Sequence, residues 1–293
     1  MDDTNAPSQS PLKLILTAVF LIIVPLALGL YLAPRVVAQP KGGIVRLSTD
    51  IFGGATFAIT EQLAYARENE DVDAVVLIIN SPGGSAAYSE ELFLDVLLTR
   101  EQLPVIASID LLAASGAYYM AVGADEIYAK PTSGIGSIGV ISSVPGEVFI
   151  EEEVLTTGPY KSFGGTRDGF IRGAERAKFA FLQAVLVGRE GRLSAEATPD
   201  FLSRAEIFRG VRAKELGLID DFLSTDEAIA RAAELAGVAG YEVVELFPLA
   251  FPEDGGVLAG QYQPPVINVE QLYQLPADLP PGLYFRYFET PNQ

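Results

Sequence analysis

The pattern of apolar and polar positions after residue 43 predicts an alternation of strands and helices. Residues 73–80 (DAVVLIIN) form a continuous apolar run, which is typical of a strand covered on both faces. Residues 43–48 form a second extended run, and residues 56–70 carry apolar side chains at helical spacing. The same order repeats with a helix at 86–100. A chain that alternates strand, turn and helix in this way predicts an α/β fold.

The centre of the predicted fold is the stretch 104–140. An apolar strand, PVIAS at 104–108, leads into Ala-Ala-Ser-Gly and then into a helix of small residues from Ser115 to Val122. A serine at such a junction lies among the unpaired N–H groups of the first helical turn, where the helix dipole favours a developing alkoxide. Ser115 is therefore a candidate nucleophile. The alternative is that its hydroxyl simply caps the helix.

The amino-acid composition limits what could activate this serine. The chain contains no His and no Cys, so neither a Ser-His-Asp triad nor a Cys-His pair can be built from it. The base must be a lysine or a carboxylate. A lysine can take a proton from serine near neutral pH only where burial disfavours its ammonium form. One lysine, Lys161, follows Ser115 by 46 residues (161 − 115) in the polar, glycine-bearing passage after residue 148.

Two glycine-rich segments are candidates for binding chemistry. The turn from Asn80 to Gly84 has two consecutive glycines ahead of a helix, which lets backbone N–H groups approach a substrate oxyanion. The alternative is a tight turn with Ser85 as the helix cap. The run Gly134-x-Gly136-x-x-Gly139 matches a dinucleotide fingerprint only formally, because no strand is predicted before it and no amphipathic helix after it.

The N-terminal region predicts a membrane segment. Residues 14–33 contain no charged side chain, and twenty helical residues span about 30 Å, the thickness of the bilayer core. A single transmembrane helix or signal anchor is the favoured interpretation, and a signal peptide cleaved near Val36-Val37-Ala38 is the alternative. Flanking charges determine the orientation poorly, since Lys13 on one side is matched by Arg35 and Lys41 on the other.

The remaining boundaries follow from composition. Amphipathic helices are predicted at 174–189 and 226–236, and the sequence from residue 246 onward is rich in proline and aromatic residues without clear periodicity. The predicted organisation is a polar segment at 1–13, a transmembrane helix at 14–33, a linker at 34–42, a catalytic domain at 43–245 and a Pro/aromatic-rich tail at 246–293.

The net charge of −18 argues against binding to nucleic-acid phosphates, which would be repelled. Without His or Cys, a transition-metal site would have to rest on carboxylates, so chemistry without a metal or cofactor is expected.

Five separated motifs carry a resemblance to a known family. They are INSPGGS (79–85), AASGAYYMA (113–121), GSIGV (136–140), TGPYKS (157–162) and GVRAKELGLID (210–220). Together and in this order they make residues 43–245 resemble the signal peptide peptidase A family, the membrane-anchored serine-lysine peptidases of family S49 in the ClpP/crotonase superfamily. The resemblance implies a ClpP/crotonase-like ββα superhelix and a homo-oligomer with active sites near protomer interfaces.

The resemblance also implies roles for single residues. It makes Ser115 the nucleophile, Lys161 the general base, Ser137 the residue whose hydroxyl orients the lysine, and the N–H groups of Gly84 and Gly116 the oxyanion hole. The sequence departs from the usual pattern at Ala117, where the family usually has glycine, and in the approach to the serine at residues 108–112.

The resulting hypothesis is a membrane-anchored serine endopeptidase that hydrolyses short apolar peptides such as signal-peptide remnants. It predicts a single-pass protein of the cell membrane with an extracytoplasmic catalytic domain. Two alternatives stay open from the sequence: a crotonase-type acyl-CoA enzyme that uses the same glycine-rich oxyanion geometry, and a catalytically silent membrane scaffold.

Overall fold

The computed structural model describes residues 11–36, 39–143, 157–158, 160–161, 164–252 and 283–286, in two units that divide after Pro40. The first unit contains helix α1 (Pro11–Val36). Within α1, Ile15–Leu32 is apolar, wholly unburied and long enough by length and composition to cross a membrane. The predicted span of 14–33 lies inside this helix, and whether the segment anchors the protein or is cleaved stays a prediction.

The second unit begins at Lys41. Its helices are α2 (Gly53–Glu68), α3 (Ala86–Arg100), α4 (Gly116–Ala121), α5 (Arg167–Gly188), α6 (Pro199–Leu202), α7 (Gly210–Leu216), α8 (Thr225–Leu235) and α9 (Phe247–Ala250). Its strands are β1 (Lys41–Leu47), β2 (Val72–Ser81), β3 (Gly83–Ser85), β4 (Val105–Ala114), β5 (Glu126–Ala129), β6 (Gly134–Gly136), β7 (Ile141–Ser142), β8 (Ile207–Arg209), β9 (Asp221–Phe222), β10 (Glu242–Glu245) and β11 (Leu283–Arg286).

The main sheet has the strand order β10-β1-β2-β4-β5-β9, and all pairs along this path are parallel. Off this path, β6 pairs in parallel with β4 and antiparallel with β8. Both faces of β2 are buried, as its continuous apolar run predicts. Alternate residues of β2 lie in two clusters: Val75, Leu77 and Ile79 face the larger core, which includes residues of α2, α3 and α4, while Val76 and its neighbours on that face pack against α8. The central strand is thus a rigid support for whatever its carboxyl end carries.

Strand β4 belongs to two parts of the sheet. It pairs with β2 on one side as far as Ala113, and on the other side its neighbour changes from β5 to β6, which pairs in parallel with Leu112–Ala114. The register with β2 shifts between Ile79 and Ser81, and Asp110 and Leu111 are exposed where the strand changes partners. The end of β4 thus lies between β2 and β6, and Ser115 follows it directly.

The structure confirms the α/β class and the apolar N-terminal helix, and helix 86–100 has the predicted bounds. Two expectations need correction. The strand predicted at 104–108 continues to Ala114 because β6 supplies it with a second partner. The helix predicted from residue 174 begins at Arg167, because the Thr166 hydroxyl accepts a hydrogen bond from the Gly169 N–H and caps it. No strand is predicted at β5, β6 or β10, which are too short for periodicity to reveal.

The predicted tail at 246–293 lies outside the described residues except for residues 246–252 and β11. The polar segment predicted at 1–13 is described only from residue 11, and the linker at 34–42 only in part. These boundaries stay predictions.

Candidate active site

Ser115 occupies a sharp turn between β4 and α4. It is 1% exposed, and its backbone has φ 55° and ψ −124°, a conformation that non-glycine residues rarely adopt and that costs on the order of 1–3 kcal/mol. Its side chain makes no capping hydrogen bond to α4. The capping alternative therefore fails for Ser115. A strained, buried serine whose hydroxyl does not cap the helix is a candidate nucleophile.

The neighbouring strand β6 holds Ser115 in this conformation. The Ser115 N–H donates to the Gly136 carbonyl oxygen at 2.8 Å, one residue beyond the register pair of Ala114 with Gly136. Ser137 follows Gly136, is also buried, and has φ 53°. Its own N–H donates to the Glu206 carbonyl oxygen at 2.8 Å. The structure thus brings the predicted Ser115 and Ser137 to the ends of adjacent parallel strands.

Gly136, the last residue of β6, lies next to both serines: its carbonyl oxygen accepts from the Ser115 N–H, and Ser137 follows it in the chain. The φ of Gly136 is 118°, and a Cβ there would lie 2.8 Å from the Glu206 carbonyl oxygen. Gly136 is the middle glycine of the GxGxxG run, which matches a nucleotide fingerprint only formally. Its role here is to allow the backbone conformation at the end of β6.

The predicted oxyanion turn is held by contacts that the sequence did not reveal. A Cβ at Gly84 would lie 2.1 Å from the Ile51 carbonyl oxygen, so only glycine fits. Ile51 is hydrogen-bonded to β3 on both sides of Gly84. The Ile51 N–H donates to the Gly83 carbonyl oxygen at 2.8 Å, and the Ser85 N–H donates to the Ile51 carbonyl oxygen at 2.9 Å. Ser81, fully buried, donates to the Thr49 carbonyl oxygen at 2.6 Å and accepts from the Gly83 N–H at 3.1 Å. Because these partners are remote in sequence, no local signal could have found them.

Helix α4 connects this turn to the serine. Strand β3 contacts α4, the helix that begins directly after Ser115. The alternative interpretation of the turn, with Ser85 as a helix cap, fails because the Ser85 side chain makes no capping hydrogen bond to α3. Gly116 opens α4, and the first N–H groups of a helix have no intrahelical partner. Both predicted oxyanion donors therefore lie on elements that meet at the serine.

Two tyrosines fix α4 within the core. The Tyr118 hydroxyl is buried and donates to the Leu218 carbonyl oxygen at 2.8 Å, and its burial raises the pKa of the phenol. Tyr119 stacks on Phe181 with ring centroids 4.7 Å apart, and burial, followed by the charge of Glu90, raises the pKa of Tyr119 to about 12. Both phenols stay neutral near pH 7 and position the helix.

The lysines of the chain differ in their partners. Four of them form ion pairs with carboxylates, namely Lys41, Lys130, Lys178 and Lys214. An ion-paired ammonium is stabilised in its charged form and is a poor base. Lys13 immediately precedes the apolar span. Lys161 has no carboxylate partner in the part of the chain that the structure describes.

Lys161 lies in an exposed turn in which its N–H donates to the Gly158 carbonyl oxygen at 3.1 Å. Among the placed residues no hydrogen bond joins Lys161 to Ser115 or Ser137. The structure of the single chain therefore brings Ser115, Ser137, Gly84 and Gly116 together and leaves Lys161 in solvent.

Comparison with known proteins shows a similarity to one peptidase family. The model described as "Peptidase family S49" matches residues 98–239, a range that contains Ser115, Ser137 and Lys161. The chloroplastic serine protease SPPA of Arabidopsis thaliana is 28% identical over 232 residues, which are 74% of this chain and 34% of the relative. Protease 4 of Salmonella typhi is 30% identical over 195 residues, 63% of this chain and 31% of the relative. The chain is thus similar to peptidase family S49 over residues 98–239, in agreement with the resemblance that the five motifs indicated.

A solved structure of a ClpP1 mutant from Listeria monocytogenes has a TM-score of 0.47 and 12% identity, and it covers 64% of this chain and 94% of that one. The chain spans about a third of the length of the two curated relatives named above.

Proposed function

We propose that the chain is a serine peptidase in which Ser115 is the nucleophile and Lys161 the general base. The observation that carries the proposal is the conformation of Ser115, which is buried, strained at φ 55° and makes no capping hydrogen bond, within a region similar to a peptidase family. The lysine assignment is supported by elimination, since the other four lysines of the second unit are paired with carboxylates. Similarity to a peptidase family favours this function over an acyl-CoA enzyme.

The proposed reaction is acyl transfer in two steps. Lys161 Nζ accepts the proton of Ser115 Oγ as the oxygen attacks the peptide carbonyl carbon, and the N–H groups of Gly84 and Gly116 stabilise the resulting oxyanion. Lys161 then gives that proton to the leaving amine, and the C–N bond breaks. Water hydrolyses the acyl-enzyme by the same proton transfers. In this scheme Ser137 is a positioning residue that orients Lys161.

The proposal includes assembly. Lys161 must leave water to act as a base, and in the single chain it is exposed. We infer that a neighbouring copy supplies the missing cover, so that the active site lies near an interface between protomers of a homo-oligomer.

The proposed substrates are short apolar peptides, such as signal-peptide remnants, cut beside the membrane. Helix α1 would tether the peptidase as a single-pass membrane protein with its catalytic domain outside the cytoplasm. An apolar span of 18 residues covers about 27 Å, close to the bilayer core.

The test is peptidase activity of the full chain in detergent or nanodiscs on a fluorogenic apolar peptide. We expect Ser115→Ala and Lys161→Met each to lower kcat/KM by at least about 10³-fold. The matched controls are Ser203→Ala and Lys178→Met, which alter a surface cap and a surface ion pair and should change the rate less than twofold, about 0.4 kcal/mol.

A fluorophosphonate probe should label the wild type and the Lys178→Met control but not Ser115→Ala. Wild-type turnover by Ser115→Ala would disprove the assignment. Turnover of acyl-CoA thioesters in place of peptides would favour the crotonase-type alternative instead.

A further inference from the structure

Strand β11 of the chain fills a gap beside the proposed active site. It pairs antiparallel with β3 through Tyr284 with Ser85, Phe285 with Gly84 and Arg286 with Gly83. On its other side it pairs antiparallel with β7, Leu283 with Ser142 and Tyr284 with Ile141. With β11 between them, β3 and β7 are about 10 Å apart, twice the spacing of paired strands. The cleft between β3 and β7 is therefore one strand wide.

The backbone of Gly84 points into this cleft. The Gly83 carbonyl and the Ser85 N–H are both bonded to Ile51, on one side of β3. Because backbone groups alternate in direction along a strand, the N–H and carbonyl of Gly84 face the opposite side, toward Phe285 of β11. The N–H proposed to stabilise the oxyanion is thus the one that β11 covers.

The position of β11 relative to the helices agrees with this. It contacts α3, which follows β3, and α4, which begins one residue after Ser115. A strand that touches α4 and pairs with Gly84 lies in the path of a peptide that approaches the serine.

The sequence of β11 suits an extended conformation. The run 282–290, GLYFRYFET, contains no proline although the surrounding tail is rich in it, with Pro280 and Pro281 before the run and Pro291 after it. Proline lacks the N–H that a strand in the middle of a sheet must donate, and aromatic residues favour strands. A proline-free aromatic run in a proline-rich tail is a segment able to add as a strand.

We propose that residues 283–286 are a built-in peptide ligand of the cleft between β3 and β7, and that they compete with peptide substrates for it. The inference rests on the proposed function, since the competition is for the same site. A peptide adds to a sheet edge through main-chain hydrogen bonds, which do not distinguish the chain's own segment from a substrate. Because the segment is covalently attached, its effective concentration is on the order of millimolar, comparable to the upper range of KM values.

Competition of this kind raises KM and leaves kcat unchanged, because a substrate that has displaced β11 meets the same catalytic groups. The test compares the full-length wild type with Phe285→Pro, which removes the N–H at the register partner of Gly84. The matched control is Asn268→Pro, a proline elsewhere in the tail. We expect Phe285→Pro to lower KM for a fluorogenic peptide by about fivefold or more with kcat within twofold, and Asn268→Pro to change neither.

A synthetic peptide of sequence GLYFRYFET should restore the high KM when added to Phe285→Pro, and a scrambled peptide should not. Equal KM values for wild type, Phe285→Pro and Asn268→Pro would overturn the competition.

A readout without catalysis separates this inference from the proposed function. Hydrogen exchange should show the Gly84 amide protected in the wild type and in Asn268→Pro, and at least about tenfold faster in Phe285→Pro. If all variants lack peptidase activity but this difference is present, the proposed function fails while occupancy of the cleft holds. If Gly84 exchanges equally in all three, the tail does not occupy the cleft and the inference is overturned.

Discussion

The Ser115 N–H donates a hydrogen bond of 2.8 Å to the Gly136 carbonyl oxygen, which joins the ends of the adjacent strands β4 and β6. Each residue has a positive φ, 55° for Ser115 and 118° for Gly136. The hydrogen bond continues the β4–β6 ladder one residue past the pair of Ala114 with Gly136. The strain at the serine is thus balanced by a regular sheet contact, which keeps the side chain in one orientation.

Gly136→Ala tests this dependence. A Cβ there would lie 2.8 Å from the Glu206 carbonyl oxygen and would need the φ of 118° that alanine resists, so β6 must shift. We expect kcat/KM to fall about 10²-fold, because misplacement of a nucleophile by about 1 Å has this effect. The control is Gly240→Ala, where a Cβ meets nothing within 4 Å. Peptide hydrolysis measures both, and a wild-type rate for Gly136→Ala would contradict the argument.

Ser137→Ala tests the positioning role assigned to this hydroxyl. If Ser137 only orients the base, its loss lowers kcat, by about 10- to 100-fold, and leaves KM within twofold, because substrate contacts are unchanged. Ser137→Thr keeps the hydroxyl and should recover part of kcat. Steady-state kinetics on the fluorogenic peptide give both constants. A Ser137→Ala change confined to KM would place the residue in substrate binding instead.

The local parts of this site could be predicted from sequence, and the non-local parts could not. Ser115 and the glycines of residues 80–84 are predictable because the strand-to-helix junction and the paired glycines are features of short segments, and because the composition, without His and Cys, limits the possible bases. Helix 86–100 was predicted for the same reason. The clamp of Ile51 on Gly84 and the pairing of β11 with β3 join segments remote in sequence, and neither leaves a periodic signal.

Tyr118→Phe tests how firmly α4 is held. The Tyr118 hydroxyl is buried and donates to the Leu218 carbonyl oxygen at 2.8 Å, so its removal loses one hydrogen bond and leaves a buried carbonyl unpaired. We expect the free energy of unfolding to fall by about 1–2 kcal/mol, as measured by urea denaturation. Tyr65→Phe is the control, because the half-buried Tyr65 hydroxyl makes no hydrogen bond to any described residue, and it should change stability by less than about 0.5 kcal/mol. Equal losses in the two variants would contradict the assigned role.

Mixed assemblies test whether the dyad forms between chains. Lys161 is exposed and not bonded to Ser115 within one chain, so we expect inactive Ser115→Ala and Lys161→Met chains to complement each other when co-expressed. In a head-to-tail ring about one quarter of the sites would combine an intact serine with an intact lysine, since each contributor is intact with a probability of about one half. The measured rate should approach that fraction of wild type. Recovery no greater than that of the single variants would place the pair within one chain.

The ion pair between Glu126 on β5 and Arg231 on α8 gives a prediction for acid stability. Arg231 donates to both Glu126 oxygens, at 2.8 and 2.9 Å, and the Tyr128 hydroxyl donates to one of them at 2.7 Å. These bonds, led by that from Arg231, hold the pKa of Glu126 below its ordinary value. A carboxyl with a lowered pKa in the folded state stabilises the protein above the pKa of the unfolded chain, and this contribution disappears as pH falls through the folded value.

We therefore expect Glu126→Gln to lower the melting temperature at pH 7 and to lose that difference progressively below pH 4.5, the ordinary value for glutamate. Glu234→Gln is the matched control, because Glu234 also pairs with Arg231 but its side chain is 71% exposed, so solvent screens the interaction. Its effect should be smaller at every pH. Thermal melts of the full chain from pH 7 to pH 3 measure both variants, and a Glu126→Gln difference that persisted unchanged at pH 3 would show that the carboxylate charge is not what joins α8 to the sheet.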